Sequence, residues 1–153
     1  MYIRRILVLA SALMVAACDS ASEPEGVEGR YSLSTAAGGD LPIWANWNGS
    51  QGSGRQLREG TLRLREPDQL EVVLQSRMLN EQGQATMSMS DTLRGTWEVQ
   101  GEQLKLTAQG AGLYAIGPAA TVSSNRRINA VLYLVTPSYV GYGSIPVDVT
   151  FTR

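Results

Sequence analysis

The chain has no histidine, one cysteine and one phenylalanine among its 153 residues. Each shortage removes a class of chemistry. Without histidine, the side chain that most often exchanges protons at neutral pH is missing, and so is the commonest nitrogen ligand for zinc or a redox metal. A single cysteine, Cys18, allows no disulfide within the chain, so the fold rests on its core alone. Charge is nearly balanced, with 13 Lys and Arg against 14 Asp and Glu, and no basic stripe marks a nucleic-acid surface. No Gly-x-x-x-x-Gly-Lys phosphate loop occurs, and Gly52-x-Gly54 lies in a glycine–serine stretch rather than at a strand-to-helix turn. Paired carboxylates are the remaining acid–base machinery, and the pairs nearest in sequence are Glu66 with Asp68 and Asp91 with Glu98. The first pair flanks a turn, where carboxylates ordinarily meet water. We expect no catalytic residue, no metal site, no cofactor and no nucleic-acid partner.

What is present begins with a leader. Arg4 and Arg5 make a positive start, Ile6 to Val15 is apolar except for Ser11, and Ala16 and Ala17 supply small residues before Cys18. From Ile6 to Ala17 the segment falls short of the ~20 apolar residues a membrane-crossing helix needs. Val15-Ala16-Ala17-Cys18 resembles a bacterial lipobox. The resemblance implies a helical signal peptide over 1–17, cut after Ala17, and a lipidated Cys18 whose two or three acyl chains hold the protein to a membrane. It places the protein outside the cytoplasm, facing the periplasm. Asp19 resembles an inner-membrane retention signal, with the outer membrane as the alternative. Two other readings compete: a buried N-terminal helix with an incidental cysteine, and twin-arginine export through Arg4-Arg5, whose flanks match that signal poorly. Residues 18–28 are small, acidic and proline-containing, too poor in apolar surface to fold, and read as a tether. Glu23, Glu25 and Glu28 carry no calcium-loop pattern.

Residues 29–153 read as one all-β domain. Apolar and polar residues alternate with a period of two at Tyr31 and Leu33, at Leu62 and Leu64, at Leu70, Val72 and Leu74, and at Met87 and Met89. Glu66-Pro67-Asp68-Gln69 suits a tight turn. Gly95, Trp97 and Val99 share a face, and Gln100-Gly101-Glu102 turns the chain back into Leu104 and Leu106. Leu113 to Ile116 is a short strand ending at Gly117-Pro118, Ile128 to Val135 is apolar on both faces, and Val147, Val149 and Phe151 form the last strand. Residues 49–54 and 137–146 read as a glycine–serine surface loop and a wide loop. The pattern predicts an antiparallel barrel or sandwich.

Several of these segments resemble a lipocalin-like group of small bacterial exported proteins. The carriers are Gly29-Arg30-Tyr31-Ser32-Leu33, then Asp40-Leu41-Pro42, the hairpin from Gly95 to Thr107, and the closing Val149-Thr150-Phe151-Thr152-Arg153. Ala36-Ala37-Gly38-Gly39 departs from the group's more usual Asn-Gly turn, and the glycine–serine insertion is longer. The group implies an antiparallel up-and-down meander forming a small lipocalin-like barrel, closed or partly open, and no assigned reaction.

Trp44, Trp47, Tyr114, Tyr139 and Tyr142 fall at strand ends or in glycine-rich segments. Such rings either line a barrel mouth and receive an apolar or sugar-like ligand, or plug the barrel end against water. Trp97 reads as core. Arg126-Arg127 reads as a solvated loop pair, since two charges add little attraction to a membrane. Two functions follow: a membrane-anchored protein binding a small apolar ligand in the cell envelope, or an envelope module with a filled core that docks a protein partner.

Overall fold

The computed structural model describes residues 26–48, 53–110, 112–123, 126–138 and 141–153, except for the side chains at 46–48, 53, 136–138 and 141–143. The leader with Val15, Ala16, Ala17 and Cys18, and the tether up to residue 25, lie outside the described residues. The described chain is all β: β1 (Gly29–Ala36), β2 (Gly39–Asp40), β3 (Ile43–Asn48), β4 (Ser53–Arg65), β5 (Gln69–Leu79), β6 (Ala85–Gln100), β7 (Gln103–Gln109), β8 (Tyr114–Ile116), β9 (Ala119–Ser123), β10 (Arg127–Ser138) and β11 (Gly141–Thr152).

These strands form an eight-stave antiparallel barrel in up-and-down order. The staves are β1, β4, β5, β6, β7, the interrupted β8–β9, β10 and β11. Closure comes from β1, which pairs with β11 (Leu33 opposite Phe151) and with β4 (Gly29 opposite Leu64, Tyr31 opposite Leu62). The short β2 and β3 are an excursion between β1 and β4, each laid on its neighbour. Gly117 and Pro118 break one stave into β8 and β9, but the ladder runs on through Gly117 N–H to the Val131 carbonyl (2.7 Å) and Leu106 N–H to the Pro118 carbonyl (2.8 Å).

Period-two alternation decides what faces inward. Leu64, Leu62 and Gly60 of β4 stand opposite Leu70, Val72 and Leu74 of β5, which stand opposite Gly95, Leu93 and Asp91 of β6. On the other wall Ile128, Ala130 and Leu132 face Phe151, Val149 and Val147. Eleven large side chains, among them Tyr31, Leu57, Leu62, Leu74, Leu93, Leu104, Ile128, Leu132 and Phe151, keep essentially no exposed surface. A side chain beside a water-sized void would retain some, so these side chains pack without such a void among them. Each such aliphatic side chain contributes about 1.5–3 kcal/mol of burial. The interior also sets glycine positions: a Cβ at Gly95 would lie 1.7 Å from the Thr107 carbonyl oxygen, so only glycine lets β6 and β7 approach this closely.

The lower end is closed. Tyr31 donates its hydroxyl to the Val27 carbonyl at 2.6 Å, and Arg153 lies over Gly29 and donates to the Gly26 carbonyl at 3.2 Å. Two expected loops are shorter than their composition suggested. The ladder of β10 and β11 runs to Ser138 opposite Gly141, so the wide loop over 137–146 is instead a hairpin. A strand tolerates Pro137 and Pro146 wherever the ladder makes no use of the missing N–H. Likewise Ser53 and Gly54 already belong to β4, and residues 49–52 lie outside the described ones.

Candidate functional site

The upper end differs from the rest of the interior because a charged pair sits inside it. The cause is one residue. Down β4 the inward positions are Leu64, Leu62 and Gly60, but the register slips between Leu57 and Glu59, with Arg58 as the extra residue. This β-bulge reverses the parity of the strand. Leu57 and Arg55 turn inward, where unbroken alternation would have put Arg55 outside. Arg55 is only 4% exposed.

Three staves supply its partners. Arg55 donates Nε–H to Ser76 Oγ on β5 at 2.8 Å, and its Nη2 pairs with Asp91 Oδ2 on β6. Its guanidinium carbon lies 4.8 Å from the centre of the Tyr114 ring on β8, a cation–π contact made in a desolvated place. Gly112 is required here, because a Cβ would fall 2.2 Å from Asp91 Oδ1. Two polar atoms in this cluster are buried without a hydrogen-bond partner: Arg55 Nη1 and the Tyr114 hydroxyl. Burial raises the Tyr114 phenol above its ordinary pKa; the Arg55 charge and the nearby Ser76 hydroxyl pull it partly back, and Asp91 adds to the rise.

Above this cluster the inward column becomes apolar and, at Met87 and Ile145, exposed. Met89 stands opposite Ser76, Met87 opposite Met78, and Ile145 opposite Leu134, all on the inward face. Met87 is nonetheless 59% exposed and Ile145 52%. Large apolar side chains that point inward yet meet solvent mark the mouth of a barrel.

Of the five aromatic residues singled out from the sequence, the structure brings Tyr114 into this site, as a buried ring against Arg55. Trp44 stands on β3 opposite Gln56, on the outer wall at the same end and partly exposed. Trp47 and Tyr142 belong to β3 and β11 by backbone, opposite Gly54 and Pro137, but their side chains lie outside the described ones, as does Tyr139 altogether. Sequence reading did not find Arg55 or Ser76. It considered Asp91 only as a partner for Glu98, and the two are on opposite faces of β6, seven residues apart: Asp91 inside, Glu98 outside beside Gln100. Glu66 and Asp68 sit exposed in the β4–β5 turn. Trp97 packs against the core and donates its indole N–H to the Arg65 carbonyl at 3.1 Å.

Among the described residues no group of three potential metal ligands comes together, and no helix is long and apolar enough to cross a membrane. A groove of about 500 Å³ beside β9, β10 and β11 is lined by small and uncharged side chains such as Ala119, Thr121 and Asn129, with Asp148 at its side. It offers less chemistry than the mouth. In comparison with known proteins, no family model, no curated protein and no solved structure matches the chain.

Proposed function

We propose that the protein is an exported lipoprotein, anchored to the cell membrane through lipid on Cys18, whose β-barrel binds a small apolar ligand at its open upper end. The observation that carries this reading is the apolar rim of Met87, Met89 and Ile145 over the partly unsatisfied Arg55–Tyr114 cluster. Concave sites that combine apolar walls with a few convergent polar groups are the usual form of a small-molecule site. The packed middle of the barrel restricts the ligand to the mouth, so it is held at the end rather than engulfed. The leader supports export and anchoring, and Asp19 favours the inner membrane, facing the periplasm. No catalytic step belongs to this reading.

An environment-sensitive naphthylamine dye added to the full-length protein should brighten on binding, and Met87→Asp with Ile145→Asp should abolish the effect. Unchanged brightening in that double variant would place the dye elsewhere and sink the mouth as the site. Cys18→Ser should release the protein from membranes; continued fractionation with them would remove the anchor.

A second reading, an envelope interaction module, is favoured by the filled core. It predicts that the same double variant loses a cross-linked envelope protein while the wild type binds no dye.

A further inference from the structure

Deepening the mouth-binding reading, on which it rests, we propose that the ligand enters head first and carries an uncharged carbonyl oxygen, as in a fatty amide or a fatty ester, that accepts hydrogen bonds from Arg55 Nη1 and the Tyr114 hydroxyl. Both donors are buried and unpartnered, in residues only 4% and 2% exposed. Arg55 has already committed Nε to Ser76 and Nη2 to Asp91, so Nη1 is the part of the guanidinium still to be satisfied. A carbonyl oxygen has two lone pairs, acceptor capacity for two donors, and it reaches them once the methionines above give way.

Charge selects the kind of head group. Arg55 and Asp91 already cancel, and Asp91 is itself largely buried, its side chain 15% exposed. A carboxylate would bring a second anion next to Asp91 in a site poor in water, where like charges repel strongly. A cationic head would meet the guanidinium. A neutral acceptor adds no charge and leaves the pair intact. The route inward is lined by side chains that give way readily: Met89 opposite Ser76 and Met87 opposite Met78, and methionine changes shape at little cost. The apolar body of the ligand then lies against Met87 and Ile145 at the rim.

The test titrates octanamide, methyl octanoate, octanoate and octane against the full-length protein, by calorimetry or dye displacement. The amide or the ester should bind about tenfold or more tightly than octanoate, the equivalent of one well-made hydrogen bond to a charged group. The amide and ester arms separate the two sources of the carbonyl. Tyr114→Phe should weaken the carbonyl ligands about tenfold more than it weakens octane or the dye, while its melting temperature without ligand stays the same or rises. Glu98→Gln, on the outer wall, should change nothing. Equal affinity for all four probes with an indifferent Tyr114→Phe overturns the head-group assignment and leaves mouth binding standing. Preference for octanoate, or a soaked crystal with ordered waters undisplaced on Nη1 and the phenol, also overturns it. Failure of every probe and of the dye overturns both readings.

Discussion

Ala37 occupies a backbone position that disfavours a Cβ. With Gly38 it forms the two-residue turn between β1 and β2, where Ala36 pairs with Gly39, and both residues have positive φ, 52° and 74°. Two positive φ values in a two-residue hairpin loop describe the turn that Asn-Gly fills best. An L-residue there pays roughly 1 kcal/mol, and asparagine less than alanine. Ala37→Asn should therefore stabilise the protein by about 0.5–1 kcal/mol in urea unfolding, keeping the Ala37 N–H bond to the Asp148 carbonyl (2.8 Å). At the same scale, Tyr114 and Tyr31 make stability depend on alkaline pH. Burial raises both phenols above the ordinary value of 10.0. Above pH 10 the unfolded chain then loses these protons more readily than the folded one, so stability is intact below about pH 10 and falls as pH rises beyond it. Urea midpoints should drop across that range, and Tyr114→Phe should flatten the slope. An unchanged slope would mean the ring reaches solvent.

At the scale of the strand, Arg55 ties β4 to β5, β6 and β8. Arg55→Met alone leaves Asp91 without its cation and should cost about 3–5 kcal/mol, whereas Arg55→Met with Asp91→Leu should recover most of the loss. A double variant as unstable as the single one would show the pair to be incidental. Gly112→Ala should reproduce part of the loss by pushing the Asp91 carboxylate aside. This cluster also shows where sequence reading stops. The alternation of Leu62, Leu64, Leu70, Val72 and Leu74 was legible, as was the hairpin around Gly101, because each residue's facing follows from its neighbours. Arg55 was not legible. Its facing depends on the bulge at Arg58, and a bulge is settled by how the paired strand matches it, not by the residues beside it. The same reason hides the β10–β11 hairpin: Gly141, Gly143, Pro137 and Pro146 suggest a loop locally, yet the facing strand continues the ladder through them.

At the scale of the whole molecule, the two ends of the domain hold each other. β1 is clasped by β11 and β4, Phe151 is fully buried opposite Leu33 and Ile128, and Arg153 covers Gly29. The contacts of β1 with β11 and of Gly29 with Arg153 join residues more than a hundred positions apart, so closure is the part of folding with the largest loop-entropy cost. Phe151→Ala should cost about 3–5 kcal/mol. Removing Val149–Arg153 should open the barrel and replace a single cooperative unfolding transition with a broad, shallow one. A truncated chain that still unfolds sharply would show that the barrel does not need its last strand for closure.

By itself, the order of residues determined the β class and the inward leucines and valines, because composition and period-two alternation are local properties. Tertiary structure alone decided that the sheet closes, that its middle is filled, and that Arg55, Ser76, Asp91 and Tyr114 meet under an apolar rim. Those four come from four different strands, and strands acquire neighbours only through register and closure, which no single stretch of chain contains.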